Sequence, residues 1–249
     1  MFTGRAVEYV LMPGTRERGD EAMQVTAELF RQVPLFSGLA DEDLEILISV
    51  ATRRKFPKDA VIFFEHDLGD ALFMILSGRV KVTILSDDGR EIILAILSER
   101  DFFGEMSLLD NEPRSATAIA MQETEMVVLH QKDFLSIVEK RPRVLLNLLA
   151  VLSARLRKAN QQIGNLALHD VYGRVARVLL EMASESGSRG EDGKVAFRRP
   201  THQEIANMIG ATRETVSRMI SDLHRQGYIE ISGKNVIIHD ALTREFAHT

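Results

Sequence analysis

One long helix with a two-position apolar stripe constrains the fold of this chain more than any other feature. From residue 143 to 167 the helix would be roughly 37 Å long at about 1.5 Å per residue. Its apolar residues recur at alternating spacings of four and three over about three heptads: Leu145, Leu149, Leu152, Leu156, Ala159, Ile163 and Leu166. Such a narrow stripe favours packing along a partner helix, and hence a homodimer, over packing on the helix's own domain alone.

Composition narrows the chemistry that the chain can perform. The 249 residues include no cysteine, which excludes disulfides, thiolate nucleophiles, cysteine-ligated zinc, iron–sulfur clusters and thiol-based redox sensing. His66 could suggest a haem ligand, but it is interpreted as a solvated loop histidine. Together with the lack of cysteine, this leads us to expect no metal, haem or iron–sulfur cluster. The sequence contains no nucleophile–base pair, metal-ligand cluster or P-loop, and we therefore predict that the chain is not an enzyme.

Targeting and membrane signals are missing from the sequence. Residues 1–12 carry Arg5 and Glu8 and lack the apolar core of a signal peptide. The longest apolar stretch, Val144–Leu152, is far shorter than the roughly 20 residues that a spanning helix needs. We therefore predict a cytoplasmic protein with no membrane partner.

Residues 60–129 are built from short β-rich runs separated by turn signals. Ser77-Gly78 and Asp88-Gly89 each stand between two of these runs. Residues 102–109 form a further run. Asp-Gly is typical of a hairpin because type I′ turns need positive φ. Many short strands at regular spacing indicate a β-barrel or roll.

A helix-turn-helix is predicted near the C-terminus. Thr201 and Glu204 have the spacing of a capping box at the start of a first helix. Gly210 lies where the chain must turn with positive φ, and Thr212 starts a second helix. The second helix has an apolar face opposite a polar face. The polar face contains Arg213, Glu214, Ser217, Arg218 and Ser221.

This pattern predicts a DNA-reading module. Arginine near the start of a recognition helix suits guanine O6 and N7, and glutamate can accept from cytosine N4. Two short strands around Ser232–Lys234 predict a wing with Lys234 near phosphate. His202 and Gln203 lie at the start of the first helix, where both are candidates for phosphate contact; the alternative for His202 is a helix-start role only. The alternative for Glu214 and Arg218 is a surface ion pair only.

The net charge of −5 is divided unevenly along the chain. Residues 171–249 hold 11 basic and 10 acidic side chains, and the first 170 residues hold 20 and 26. The C-terminal part is therefore comparatively basic, which is compatible with nucleic acid binding by an acidic protein.

Three segments resemble the cyclic AMP receptor protein (catabolite activator) and FNR superfamily of bacterial transcription regulators. They are residues 102–118, 163–183 and 201–223, and the resemblance covers roughly residues 33–239. It implies an α+β chain with a cyclic-nucleotide-binding-type β-roll, a long dimerisation helix and a C-terminal winged helix-turn-helix. The implied domains are an extension (1–25), the β-roll (26–142), the dimerisation helix and hinge (143–169) and the DNA-binding domain (170–249).

Residues 102–118 resemble the family's phosphate-binding cassette. Gly104 lets backbone amides approach an anion closely, and the N–H groups of a following helix suit phosphate. The resemblance implies that Glu105 binds a ribose hydroxyl and that Arg114 binds the cyclic phosphate. The implied ligand residues are Gly104, Glu105, Met106, Ser107, Arg114, Ser115, Ala116 and Asn160. The alternative is that Glu105 and Arg114 pair only to hold the loop.

The chain departs from the family on the dimerisation helix. Ala159 and Asn160 stand where cyclic AMP sensors usually have a Thr-Ser pair that meets adenine. Cyclic AMP, cyclic GMP, cyclic di-GMP or no ligand therefore stay open.

The resemblance implies a homodimeric, sequence-specific DNA-binding regulator modulated by a cyclic nucleotide. The matching DNA residues are Thr201, His202, Gln203, Thr212, Arg213, Glu214, Ser217, Arg218 and Lys234. Near-palindromic DNA with TGTGA-like half-sites is the implied partner, and RNA polymerase is a candidate partner at loop 184–193. A ligand-independent regulator and a nucleotide-sensing adaptor that acts through protein contacts are the alternatives.

Overall fold

The computed structural model describes residues 26–189 and 194–246 of the chain. The expected extension, residues 1–25, and part of loop 184–193 lie outside these residues. The chain divides into two compact units, which are Met1–Ile84 with Leu94–Leu156 and Leu85–Ile93 with Arg157–Thr249.

Two helices precede a β-rich part, and helices predominate after it. The helices of the described residues are α1 (Ala27–Gln32), α2 (Asp41–Val50), α3 (Glu105–Asp110), α4 (Gln131–Lys140), α5 (Pro142–Leu168), α6 (Val171–Ser186), α7 (His202–Ile209), α8 (Arg213–Arg225) and α9 (Asp240–Phe246). The strands are β1 (Thr52–Phe56), β2 (Val61–Phe63), β3 (Ala71–Ser77), β4 (Val80–Leu85), β5 (Glu91–Leu97), β6 (Phe102–Phe103), β7 (Thr117–Ala120), β8 (Thr124–His130), β9 (Ser188–Arg189), β10 (Val195–Arg198), β11 (Ile229–Ser232) and β12 (Asn235–Ile238).

The predicted β-roll consists of two four-stranded sheets. Their strand orders are β1-β8-β3-β6 and β2-β7-β4-β5. Strand β3 is buried on both faces, because Leu72 and Met74 join the cluster that includes residues of α4 and α5, whereas Phe73 and Ile75 join the cluster inside the roll. This double burial explains why β3 is apolar throughout instead of alternating with polar residues.

Gly104 separates strand from helix in the segment 102–109. The sequence predicted one β-rich run there, but only Phe102 and Phe103 form a strand, and α3 follows. Gly104 is the N-cap of α3 with φ of 82°, a left-handed conformation that side chains other than glycine's disfavour. Gly104 therefore ends the strand and lets the helix begin at the next residue.

Helix α5 has one buried face and a separate exposed stripe. Val144 and Leu148 are fully buried in the core of the first unit, and Leu152 is half-buried against the same core. Most of the predicted heptad stripe stays exposed in this chain: Leu145, Leu149, Leu156, Ile163 and Leu166. Ala159 is half-buried. The helix extends one residue beyond each end of the predicted range.

The second unit contains the predicted winged helix-turn-helix. Helices α6, α7 and α8 share one core with a four-stranded sheet of order β11-β12-β10-β9. Strands β11 and β12 form the predicted wing hairpin, whose turn contains Gly233 with φ of 57°. The sequence did not predict β9 and β10, which complete the sheet.

Candidate functional site

Arg114 is the buried cation of the cassette and is only 5% exposed. Its Nη1 donates to the Gly104 carbonyl at 2.7 Å and its Nη2 to the Ala71 carbonyl at 2.8 Å. The guanidinium carbon lies 4.3 Å from the centre of the Phe63 ring, within cation–π range. Burial lowers the pKa of Arg114, and the charges of Asp70, Glu105 and Asp67 oppose that effect. These contacts fix the guanidinium in place.

One donor of Arg114 has no partner. Its Nε is buried and makes no hydrogen bond to any residue that the structure describes. A buried N–H without an acceptor costs free energy, so such a group indicates a place for an external acceptor. The donor set is a cation beside backbone amides, which suits an anionic oxygen.

Gly69 makes room for Arg114, although no local sequence pattern marks this glycine. A Cβ at Gly69 would lie 2.5 Å from both Cζ and Nε of Arg114. A Cβ at Gly104 would lie 2.7 Å from Nη1. Two glycines therefore allow the close approach of this side chain, and 45 residues of sequence separate Gly69 from it.

Glu105 pairs with Arg155, not with Arg114. The Glu105 side chain is buried, and its Oε1 accepts from Nη1 of Arg155 in α5 at 2.7 Å. Arg155 also donates to the Phe102 carbonyl and lies 4.8 Å from the centre of the Phe102 ring. The alternative of a simple Glu105–Arg114 pair is therefore wrong.

The other expected ligand residues differ in their exposure to solvent. Ser107 and Ala116 are buried, whereas Met106, Ser115 and Asn160 are exposed. Ser115 Oγ donates to the sulfur of Met106 at 3.7 Å. The exposed hydroxyl of Ser115 is thus beside the cassette helix and accessible from solvent.

The helix-turn-helix begins with the predicted capping box. The Glu204 amide donates to Thr201 Oγ1 at 3.1 Å, and the Thr201 amide donates to Glu204 Oε2 at 2.6 Å. Gly210 ends α7 with φ of 65°, and Thr212 caps α8 by accepting from the Thr215 amide. Both helix starts are therefore fixed by side-chain caps.

The polar face of α8 is open to solvent. Val216, Ile220 and Leu223 are buried on the opposite face of the helix. One surface groove, here called the recognition face, is lined by Arg213, Glu214, Ser217, Arg218 and Ser221. Among the described residues, neither Arg213 nor Arg218 has an ion-pair partner, so the alternative Glu214–Arg218 pair is not formed. Both guanidiniums keep their donors available.

A second surface depression, here called the basic groove, adjoins the start of α7. It is lined by Arg199, Pro200, Thr201, His202, Gln203 and Arg213. Burial lowers the pKa of His202, and the positive charges of Arg199 and Arg213 lower it further. Sequence reasoning missed Arg199, whose amide donates to the Lys234 carbonyl at 2.8 Å and so joins this loop to the wing. Lys234 itself is exposed.

Family models and curated relatives match both units. A cyclic nucleotide-binding domain matches residues 53–141, and a Crp-like helix-turn-helix domain matches residues 173–242. The cyclic AMP receptor protein of Thermus thermophilus is 36% identical over 85% of this chain and 95% of its own. The chain belongs to the cyclic AMP receptor protein family. It is therefore a DNA-binding transcription regulator, and its relatives are regulators and not enzymes.

Other family members agree in sequence and in fold. A CRP-like cAMP-activated global transcriptional regulator of Mycobacterium tuberculosis is 34% identical over 86% of this chain and 96% of its own. The structure of FixK2 from Bradyrhizobium japonicum superposes with a TM-score of 0.70 at 27% identity, over 78% of this chain and 96% of that one. The resemblance to this family that the three sequence motifs indicated is thus confirmed, and it extends over most of the length of each relative.

The described residues contain neither a metal-ligand cluster nor a helix that could span a membrane. No group of three or more His, Asp or Glu there is placed to hold a metal ion. No helix in residues 26–189 and 194–246 is long and apolar enough to cross a membrane.

Proposed function

We propose that this family member is a homodimeric regulator that binds near-palindromic DNA and is controlled by a cyclic nucleotide in its β-roll. The observation that carries the DNA part is the recognition face, where Arg213 and Arg218 have no ion-pair partner among the described residues and lie on a helix buried along its other side. Planar guanidinium groups match guanine in the major groove. In this proposal residues 26–142 sense the ligand, 143–169 dimerise and 170–249 bind DNA in the cytoplasm.

The groups around Arg114 suit a cyclic phosphate. No described residue accepts from the buried Nε of Arg114, and Gly104 leads into α3 with φ of 82° and no side-chain cap. Arg114, Ser115 and Ala116 would hold the phosphate oxygens, with Gly104, Met106 and Ser107 forming the cassette around them. Glu105, held by Arg155, would accept from a ribose hydroxyl. Asn160 would face the base, since its amide can both donate and accept.

Cyclic AMP is the first candidate ligand. Relatives at 34–36% identity carry cyclic AMP in their names. The Ala159-Asn160 departure affects only the base-reading positions, so cyclic GMP and cyclic di-GMP belong in the same experiment. A bound ligand can favour the DNA-binding arrangement only through its different affinity for the two states.

The dimer would form along the exposed stripe of α5. Five large apolar side chains of the stripe are exposed in the isolated chain, which is the arrangement expected of a coiled-coil seam. The two-fold axis would place two recognition helices in successive major grooves about 34 Å apart. Arg213, Glu214 and Arg218 would read TGTGA-like half-sites, with Thr201, His202, Gln203, Thr212, Ser217 and Lys234 positioned around the backbone. RNA polymerase is the proposed further partner at loop 184–193.

Fluorescence anisotropy with the full chain tests this function. A labelled duplex with two TGTGA half-sites is compared with a scrambled duplex, each at two salt concentrations and with each of the three nucleotides. We expect preference for the palindrome, a steep salt dependence and tighter binding with one nucleotide. Full operator affinity without any nucleotide would favour a ligand-independent regulator. Nucleotide binding without DNA binding would favour an adaptor and would overturn the proposal.

A further inference from the structure

The basic groove is lined by one histidine and two arginines. Arg199 enters from the loop after β10, Arg213 from the first residue of α8, and His202 is the first residue of α7. Among the described residues, no carboxylate forms an ion pair with either arginine. The free N–H groups at the start of α7 add to the positive potential. The groove is therefore suited to an anion.

We propose that the basic groove binds one phosphodiester of the DNA backbone, and that His202 takes up a proton when it does. This inference rests on the DNA-binding function proposed above and adds to it a dependence of affinity on pH. The phosphate would lie beside Arg199, with the imidazole of His202 as a second donor that becomes charged only in the complex. Arg213, the proposed base reader, would add positive potential to the groove.

The charged groups that perturb His202 are the guanidiniums of Arg199 and Arg213. Arg199 and Arg213 disfavour a third positive charge in the free protein, and partial burial acts in the same direction. The nearest carboxylate on the same helix belongs to Glu204, and it is engaged by the Thr201 amide. The Lys234 carbonyl accepts from the Arg199 amide, which joins the loop that carries Arg199 to the wing.

The sign of the effect follows from these charges. In the free protein the pKa of His202 lies below the ordinary histidine value, so at neutral pH the imidazole is mainly neutral. A bound phosphate offsets the two arginines and raises the pKa of His202 in the complex. Because the complex binds the proton more tightly, DNA affinity rises as pH falls through the range between the two pKa values.

Measuring operator affinity from pH 8 down to pH 6 tests the coupling. We expect the dissociation constant of the wild-type dimer to fall as pH falls, by at most about tenfold per pH unit for each half-site that gains one proton. His202→Gln should bind more weakly at pH 6 and lose most of the pH dependence. His202→Lys, which keeps a permanent positive charge, should bind tightly at both values with little dependence on pH.

Calorimetry in buffers of different ionisation enthalpy counts the protons directly. Wild-type protein should take up protons on binding, and His202→Gln should take up fewer. His66→Gln is the matched control, because its side chain is 84% exposed in the first unit. Tight operator binding with the same pH profile in wild type and His202→Gln would overturn the inference and leave the proposed function intact. Failure of every protein to bind DNA at any pH would instead overturn the proposed function.

Discussion

Arg155 Nη1 lies 2.7 Å from Glu105 Oε1, and this contact joins helix α5 to the cassette. The Glu105 side chain is 5% exposed and that of Arg155 is 34% exposed. A buried carboxylate needs a partner to offset its lost hydration. Arg155 therefore supplies the buried Glu105 carboxylate with an ion-pair partner and connects α5 to the cassette.

We expect Arg155→Met to destabilise the chain. Removing the partner leaves Glu105 buried and unpaired, which should cost about 1–3 kcal/mol once partial exposure of the arginine is allowed for. Urea unfolding measures the loss. The double variant Glu105→Gln/Arg155→Met should recover part of it, and Arg157→Met, whose side chain is exposed on the same helix, is the control. Equal stability of the Arg155 and Arg157 variants would contradict the assigned role.

Gly69→Ala should displace Arg114. The added Cβ would lie 2.5 Å from the guanidinium, and overpacking of this kind costs about 1–3 kcal/mol. Calorimetry should show that cyclic nucleotide affinity falls by at least tenfold. Gly164→Ala is the matched control, because nothing lies within 4 Å of its new Cβ, and a helical Gly-to-Ala change stabilises by about 0.5–1 kcal/mol. Unchanged nucleotide affinity in the Gly69 variant would argue against Arg114 as the phosphate ligand.

Arg213→Ala and Arg199→Ala should weaken DNA binding in different ways. Loss of Arg213 should cost about 1–3 kcal/mol on the TGTGA duplex and relax the preference at one guanine. Loss of Arg199 should weaken specific and scrambled DNA alike and reduce the salt slope by about 1 per half-site. Anisotropy on both duplexes at several salt concentrations separates these effects. If Arg213→Ala weakened both duplexes equally, base reading by Arg213 would be wrong.

Charge in the α5 stripe should dissociate the dimer. Leu156 is 63% exposed and Ile163 is 64% exposed in the isolated chain, so Leu156→Lys and Ile163→Lys should disrupt a paired helix without unfolding the first unit. Light scattering after size exclusion measures the mass. Ala154→Lys places the same charge on an exposed position outside the stripe and should leave the dimer intact. A wild-type chain that runs as a monomer would refute the assignment.

Local signals made the helix-turn-helix predictable. The spacing of Thr201 and Glu204 predicts a capping box, and both of its hydrogen bonds are present. Gly210 takes the positive φ that the turn requires. Each of these features depends on residues within one or two turns of helix, so sequence spacing alone was sufficient.

The contacts that build the ligand pocket were not predictable in the same way. Glu105 and Arg155 are 50 residues apart, and Gly69 and Arg114 are 45 residues apart. These pairs depend on how the roll closes and on where α5 packs, and no local pattern encodes either. Strand β3 shows no alternation of apolar and polar residues, because its two faces pack in two different cores. Which core each face joins also depends on the closed roll. The place of Arg199 in the basic groove was not predictable either, because its loop is held by a backbone hydrogen bond to Lys234 of the wing.

If the exposed stripe of α5 is the proposed dimer interface, protein concentration becomes a variable of regulation. A chain that buries these leucines only in a second copy follows mass action, so its functional form accumulates with the square of monomer concentration at low expression. Operator occupancy would then rise more steeply with protein concentration than it would for a DNA-binding protein that acts as a monomer. The amount of regulator in the cell thus becomes an input of its own, alongside any small molecule.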